Sequence, residues 1–374
     1  MPKTDTINIK KINRSRVFQL ISSCDKISKQ DIANELSMSL PTVTQNLNEL
    51  LEMGLISNNG SFVSTVGRRA RAISLISDAR VAVGLDITRN HIALVILDLK
   101  GNIIHSVRKR MQTAISTVFY KKLADEIYAF IDEANVNRDK VLGVGITVPG
   151  IVYENGTKIG EAASIHMAPD FYDIFHDYLD IPFILLNDAK ASGFAEAHFS
   201  GYTSNMLYLF LSNTVGGCIL IDGKVQTGNT CRSAEFGHMT LFPHGMRCHC
   251  GRYGCADPYL CAGFLTQYSN DNLSLFFNEL ENGNPEYVKI FENYLQNLSI
   301  MINNIHVCFD YDIVLGGYIG GYMGKYLDQL KSLVAERLTF VSDNTDFIKS
   351  CTLKLESSAV GGALHYTQAF NSSI

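Results

Sequence analysis

No stretch of this sequence approaches the ~20 consecutive apolar residues that a membrane-spanning helix requires. The opening residues, MPKTDTINIKKINRSR, hold no apolar signal core, so export is not expected. Nine cysteines without a secretory leader argue against a disulfide scaffold and for a reducing cytoplasm. Charge is sparse: 18% of residues are Asp, Glu, Lys or Arg, against 46% hydrophobic. A chain of 374 residues with that balance can bury a large core, and its length suits two or three domains of roughly 100–200 residues each. The few charges are also unevenly placed. Residues 1–80 carry eleven Lys/Arg against seven Asp/Glu, a net of +4, while the remainder carries −9. A basic segment on an acidic body predicts that only the first part meets a polyanion.

The basic segment reads as a helix-turn-helix. Val17, Phe18, Leu20 and Ile21 lie at helical spacing. In SKQDIANELSMS, Ser28 is an N-cap candidate with Asp31 in the first turn, and Ile32, Ala33 and Leu36 form the apolar side. After a polar break, SLPTVTQNLNELLEMGLI begins with the cap Ser39 and with Pro41 in its first turn. Val43, Leu47, Leu50 and Leu51 follow the i, i+4, i+7, i+8 pattern. Thr42, Thr44, Gln45, Asn46 and Asn48 are then expected to face outward, as a polar surface able to read base edges in a major groove. Beyond Gly54, LISNNGSFVSTVGRRARAISLI alternates like a β-hairpin, or wing, with Asn59-Gly60 as its turn. Arg68, Arg69 and Arg71 fall near its tip, where they suit phosphate or minor-groove contacts.

From residue 81 the texture changes. VAVGLDI, HIALVILDL and NIIHSVRKRM alternate like strands, with Lys100-Gly101-Asn102 as a hairpin turn. A helix is expected from about Thr117 to Glu133, then strands VLGVGITV and IPFILL, and a helix starting near Ala189. MLYLFLS and GCILIDG make a second strand pair. A mostly helical part follows from about Asp257 to His306, then strand DIVLGG and a last helix at AVGGALHY. Hairpins first, then strands alternating with helices, give a mixed α/β class.

Six motifs give this body a family likeness: GLDI at 84–87, GITVPGIV at 145–152, LLNDAKA at 185–191, SAEFGHM at 233–239, CHCGRYGCAD at 248–257 and IVLGGYI at 313–319. Together they resemble the ROK family of repressors, open reading frames and kinases, across residues 12–370. The resemblance implies an actin-like, ribonuclease H-like body of two lobes over residues 79–374. The winged helix-turn-helix over residues 1–78 places the chain with the regulator branch. The family also implies a homodimer, which agrees with the two-fold symmetry of helix-turn-helix operators.

His238, Cys248, Cys250 and Cys255 have the spacing H-x9-C-x-C-x4-C. Three thiolates and one imidazole complete a tetrahedral Zn2+ shell with no position left for catalytic water, which is a structural site. Gly251 and Gly254 let the 238–255 loop fold around the ion. His244 and His249 are nearby substitutes, and the family pattern selects His238. A DNA-binding zinc finger fits poorly, because the segment lies in the acidic body and lacks a finger's paired spacing. Cys24, Cys218, Cys231, Cys261, Cys308 and Cys351 read as ordinary buried residues.

The resemblance further implies that Glu235, His238 and Asp257 hold sugar hydroxyls, with the imidazole giving one nitrogen to zinc and the other to the ligand. The family usually carries Glu at the last of these positions, and Asp257 is one methylene shorter. Asn187 and Asp188 follow strand IPFILL, at the strand end that faces the crevice of an open α/β sheet. The residue matching Asp188 is the general base in the family's kinases; its plainer role is a helix cap. Kinases also need glycine-rich phosphate loops. Here the two loops read Asp86-Ile87-Thr88-Arg89-Asn90 and Ser212-Asn213-Thr214-Val215-Gly216-Gly217, with key glycines missing. The expectation is therefore a cytoplasmic, sugar-responsive regulator of transcription that binds operator DNA, with Asp188 a vestigial base and no enzymatic activity. An ATP-dependent sugar kinase carrying a DNA-binding domain is the main alternative, and a DNA-binding protein whose body only dimerises or docks a partner is a third.

Overall fold

The computed structural model describes residues 3–61, 71–160, 162, 165–202, 204–340, 344–354 and 356–374. Three helices open the chain: α1 (Lys3–Ser22), α2 (Lys29–Glu35) and α3 (Leu40–Glu52). Helix α1 begins well before the apolar residues that announce it. Ser28 caps α2, its hydroxyl accepting from the Asp31 amide at 3.1 Å and donating to the Asp31 carboxylate at 2.6 Å. Ser39 caps α3 through the Thr42 amide. Val17, Phe18, Ile21, Ile32, Val43 and Leu50 are fully buried where the three helices meet.

The strands β1 (Ile27–Ser28), β2 (Ile56–Ser61) and β3 (Arg71–Leu75) form one small sheet in the order β1-β3-β2. Asn59-Gly60 is not the hairpin turn that its dipeptide suggested. Both residues lie inside β2, where Asn58 and Asn59 together oppose Ile73 before the register resumes at Gly60. The irregularity falls at Asn58-Asn59, a β-bulge within the strand.

The body has two lobes built on one plan. In the first, β4 (Val81–Ile87) is flanked on one side by antiparallel β5 (His91–Asp98) and β6 (Ile103–Arg110). Parallel β7 (Val141–Val148) lies on its other side and pairs with β10 (Phe183–Asn187). A two-stranded ribbon, β8 (Val152–Tyr153) and β9 (Lys158–Ile159), and helices α4 (Thr117–Glu133) and α5 (Phe171–Phe175) complete it. In the second lobe, β11 (Met206–Leu211) is central. Antiparallel β12 (Val215–Ile221) and β13 (Lys224–Val225) extend the sheet one way, and parallel β14 (Asp312–Gly316) and β15 (Ile348–Ser350) extend it the other. The strand orders β10-β7-β4-β5-β6 and β13-β12-β11-β14-β15 are the same arrangement used twice, as the ribonuclease H-like expectation requires.

Each lobe lends a helix to the other. Helix α6 (Asp188–Ser200) leaves the first sheet and packs on β12 and β11 of the second. After the second lobe's helices α7 (Asp257–Leu260), α8 (Ala262–Thr266), α9 (Leu273–Glu281), α10 (Pro285–Phe309), α11 (Gly317–Gly320) and α12 (Leu327–Ala335), helix α13 (Ser357–Ser373) returns to β4, β5 and β7. Helices α6 and α13 cross at backbone distance: a Cβ on Gly361 would overlap the Ala191 carbonyl, and one on Gly145 would overlap that of Gly362. Gly361 and Gly362 thus serve close packing of α13. Ser192 and Ser358 hydrogen-bond across the crossing at 2.9 Å.

The far end of α13 enters the DNA-binding module. Ile374 is buried in that module's core beside Leu99, with Phe370 and Leu142 packed against it. Arg14 donates its Nε to the Ile374 carbonyl at 2.8 Å, and Asn371 donates to the Leu99 carbonyl at 3.1 Å.

Candidate effector site and metal-binding loop

The reading face of α3 is narrower than its polar residues suggested. Gln45 and Asn48 are exposed, and Thr42 and Thr44 are partly so. Asn46 is not on this face: it is 5% exposed, and its Nδ2 donates to the Thr42 carbonyl at 2.8 Å. Position 46 sits between Val43 and Leu50 on the inner stripe, one step from Leu47, so helical geometry turns it toward the core and a backbone carbonyl satisfies it. The Thr44 hydroxyl is also bonded back, to the Leu40 carbonyl at 2.7 Å. Arg71 is exposed at the start of β3. Arg68 and Arg69 lie outside the described residues.

Between the lobes runs a cleft of about 670 Å³. Both altered phosphate loops face it: Thr88, Arg89 and Asn90 from the β4–β5 turn, and Ser212, Asn213 and Thr214 from the β11–β12 turn. Asp86 and Asp188 line it as well. Asp86 is buried at the end of β4 and accepts from the Thr147 hydroxyl at 2.8 Å. Burial raises its pKa to about 7, against the pull of that hydrogen bond. Asp188 is pushed to about 8, by burial first and then by the charge of Asp86. Both carboxyls thus resist ionisation, and sequence reasoning had placed Asp86 only as one member of a phosphate loop. GLDI was the available signal.

Asn187, not Asp188, caps α6. Its Oδ1 accepts from the Lys190 amide at 2.9 Å, and its Nδ2 donates to the Gly150 carbonyl at 3.0 Å. Asp188 is the first helical residue, bonded to the Ala189 amide at 2.8 Å and partly exposed to the cleft. Arg108, also missed, reaches from β6 across the cleft mouth to the second lobe. It donates to the Tyr318 hydroxyl at 3.0 Å, stacks 4.9 Å above that ring, and stands 3.6 Å from Glu356.

The metal-binding candidates converge. One donor atom from each of His238, Cys248, Cys250 and Cys255 lies within 4.8 Å of every other. Cys248 Sγ is 3.7 Å from His238 Nδ1, and the Cys250 and Cys255 sulfurs are 3.8 Å apart. Gly251 and Gly254 both have positive φ, +85° and +82°, as a loop folding back on itself needs. Bridges Thr240–Cys255 and Arg247–Tyr253 hold its edges. Burial first, then the neighbouring thiols and the charge of Asp257, push the Cys248 thiol up to about 12, and a cation beside it would favour the thiolate. The donor set fits a metal ion. Of the remaining cysteines, Cys218 and Cys351 are buried as expected and Cys24, Cys231 and Cys261 partly so, but Cys308 is exposed near the end of α10.

Glu235 is partly exposed beside this loop, near enough for its charge to act on Asp188. Asp257 is buried, and its carboxylate is engaged by the Val215 amide at 2.7 Å and by His249 Nδ1 at 3.2 Å. Of the five residues expected to hold sugar, Asp188 alone lines the interlobe cleft; Asn187, Glu235, His238 and Asp257 lie off it.

Comparison with known proteins agrees with this architecture. The profile described as the ROK family matches residues 82–369. The chain belongs to the ROK family. A second profile, winged helix-turn-helix DNA-binding, matches residues 11–57. The xylose repressor of Bacillus subtilis (strain 168) is 24% identical over 369 residues, 96% of each chain. The DNA-binding transcriptional dual regulator NagC of Escherichia coli (strain K12) is 24% identical over 254 residues, 67% of this ROK chain and 62% of NagC. Among solved structures, a ROK family transcriptional regulator described as a homolog of E. coli MLC superposes with a TM-score of 0.77 at 20% identity, covering 98% of this chain and 97% of that one. The ROK hexokinase of Thermus thermophilus gives 0.61 at 23% identity, covering 76% and 97%. The kinase likeness thus covers a smaller share of this chain than the regulator likeness does. Among the described residues, no helix is long and apolar enough to cross a membrane.

Proposed function

We propose that this protein is a cytoplasmic, sugar-responsive repressor of transcription. Residues 1–78 serve as the DNA-binding unit and residues 79–374 as the effector-sensing unit. The observation that carries this reading is the shared core: Leu99, Phe370 and Ile374 of the body complete the hydrophobic interior of the winged helix-turn-helix. Through this cluster, the lobed body and the DNA reader share one stretch of hydrophobic core. Gln45, Asn48 and Arg71 meet operator DNA, with Thr42 and Thr44 at the edge of the contact and Arg68 and Arg69 at the wing. Asp188, Glu235 and His238 contact the sugar, and Asn187 holds the turn before Asp188. His238, Cys248, Cys250 and Cys255 hold a structural Zn2+, whose chemistry is to neutralise buried thiolates and tie 238–255 into one wall. The protein acts as a homodimer on a two-fold operator. The relatives named as xylose repressor and as a NagC regulator support both the DNA role and the sugar effector.

The test is binding to DNA from upstream of its own and neighbouring genes, at fixed salt, with and without free and phosphorylated sugars. Release by one sugar, lost in Glu235→Gln, is the expected result. Tight DNA binding that no sugar alters would shift the body's role to a protein partner. A second reading, sugar kinase, is favoured by one observation, that Asp188 still lines a cleft of about 670 Å³. Sugar-dependent ATP turnover abolished by Asp188→Asn would establish it.

A further inference from the structure

We infer that the second-lobe wall of the interlobe cleft holds a second sugar ring, so that the effector is a disaccharide or a larger saccharide. This deepens the effector reading above and rests on it. Clefts of roughly 300–1,000 Å³ enclose drug-sized ligands, and a single sugar ring bound at Asp188 leaves much of about 670 Å³ unfilled. Much of the remaining lining belongs to the second lobe. Ser212 and Thr266 line the cleft and are only 5% and 9% exposed, yet neither hydroxyl has a hydrogen-bond partner among the described residues. Hydroxyls that deep are ordinarily paired, and each of these offers a donor and an acceptor to whatever enters.

The two hydroxyls stand on one continuous wall. The Ala262 amide donates to the Ser212 carbonyl at 2.7 Å, which joins the β11–β12 turn to the start of α8. Thr266 lies at the other end of α8, roughly 6 Å further along. Ser274 and Tyr322 extend the lining; their hydroxyls hydrogen-bond at 3.1 Å, and the Tyr322 ring stacks 4.0 Å from that of Phe277. Hydroxyls beside an aromatic ring suit a saccharide, which lays C–H faces on rings and pairs its own hydroxyls. The same wall suits a phosphate poorly. Its turn reads Ser212-Asn213-Thr214 where a glycine-lined cradle would stand, and Asp271 adds a negative charge. Arg108 is already engaged by Tyr318 and Glu356. Arg89 and Lys354 are lining cations outside any ion pair among the described residues, so a charged sugar is one arm of the test.

The experiment is calorimetric titration of the full chain with D-xylose, D-glucose, xylobiose, cellobiose, maltose, glucose 6-phosphate and ATP. At least one disaccharide is expected to bind about tenfold more tightly than the monosaccharide it contains. Thr266→Val and Ser212→Ala should each weaken that disaccharide about tenfold, the usual worth of one well-made hydrogen bond, and leave the monosaccharide unchanged. Both variants should melt with the wild type, since neither hydroxyl has a protein partner to lose. Asp188→Ala should weaken both sugars alike. A monosaccharide that binds as tightly as every disaccharide, and is lost in Asp188→Ala, would overturn the inference and leave the effector reading standing. So would a disaccharide preference untouched by both hydroxyl variants, or tightest binding by glucose 6-phosphate. ATP binding weakened by Thr266→Val would also overturn it, by giving this wall to a nucleotide. If no sugar binds the wild type, both readings fall.

Discussion

The two lobes share a strand order but meet their common cleft with different chemistry. The first lobe contributes carboxyls, Asp86 at the end of β4 and Asp188 at the start of α6, together with Arg89 and Arg108. The second contributes Ser212, Asn213 and Thr214 from its matching turn, and it also carries the Cys/His loop, which has no counterpart among the described residues of the first. The lesson concerns how each lobe is held. The first is secured by glycines that let α13 lie directly on the β4 and β7 backbones. The second devotes its long β13-to-α7 excursion to a cluster of one imidazole and three thiols whose donor atoms converge.

The largest expected effect breaks the second lobe and spares the first. Cys255→Ser removes a buried donor from a site whose ion supplies on the order of 10 kcal/mol in structural zinc sites. Hydrogen exchange should show lost protection across 238–260 while amides of β4 and β7 stay protected. Uniform loss in both lobes would mean that the loop also supports the first. Next is the first lobe's own weak point. Gly145→Ala pushes a methyl into the Gly362 carbonyl and should cost about 3 kcal/mol, read as a lower midpoint in urea. Its zinc content should not change.

Asp188→Asn has the opposite sign. A carboxyl whose folded pKa is raised to about 8 stays protonated where the unfolded chain has already ionised. Its contribution to stability therefore falls as pH rises from about 4 toward 8. The asparagine should melt about 2–4 °C higher at pH 8, and the advantage should vanish by pH 4. The smallest effect belongs to the tie between the lobes. Arg108→Met removes an exposed link worth less than about 1 kcal/mol, so stability should barely move. Small-angle scattering should still show a wider spread between lobes, and an unchanged radius would assign the closure to the α6–α13 crossing alone.

Much of this was legible in the chain. Amphipathic spacing and caps place α2 and α3, and alternation places the sheets, because these patterns depend on local geometry. The Cys/His spacing is likewise local, and its donors do come together. The misses share a physical cause. Asn46 reads as an outward polar residue until its carbonyl partner is seen, and Asn59-Gly60 reads as a turn until the register with β3 is known. Asp257 reads as a ligand group until Val215, 42 positions away, takes one of its oxygens. Sequence displays the polar atoms but not the distant groups that satisfy them. Arg108 was hidden for the same reason, since its partner Tyr318 lies 210 positions further on.

The insertion of Phe370 and Ile374 beneath the helix-turn-helix has a consequence for the order of synthesis. Arg14 and Ile374, which bond to each other, are 360 positions apart. The DNA reader emerges from the ribosome first, yet it lacks part of its interior until both lobes have been translated. A nascent or truncated chain would carry the recognition helix on an unfinished core. Completion of the sensor thus also completes the core beneath the recognition helix.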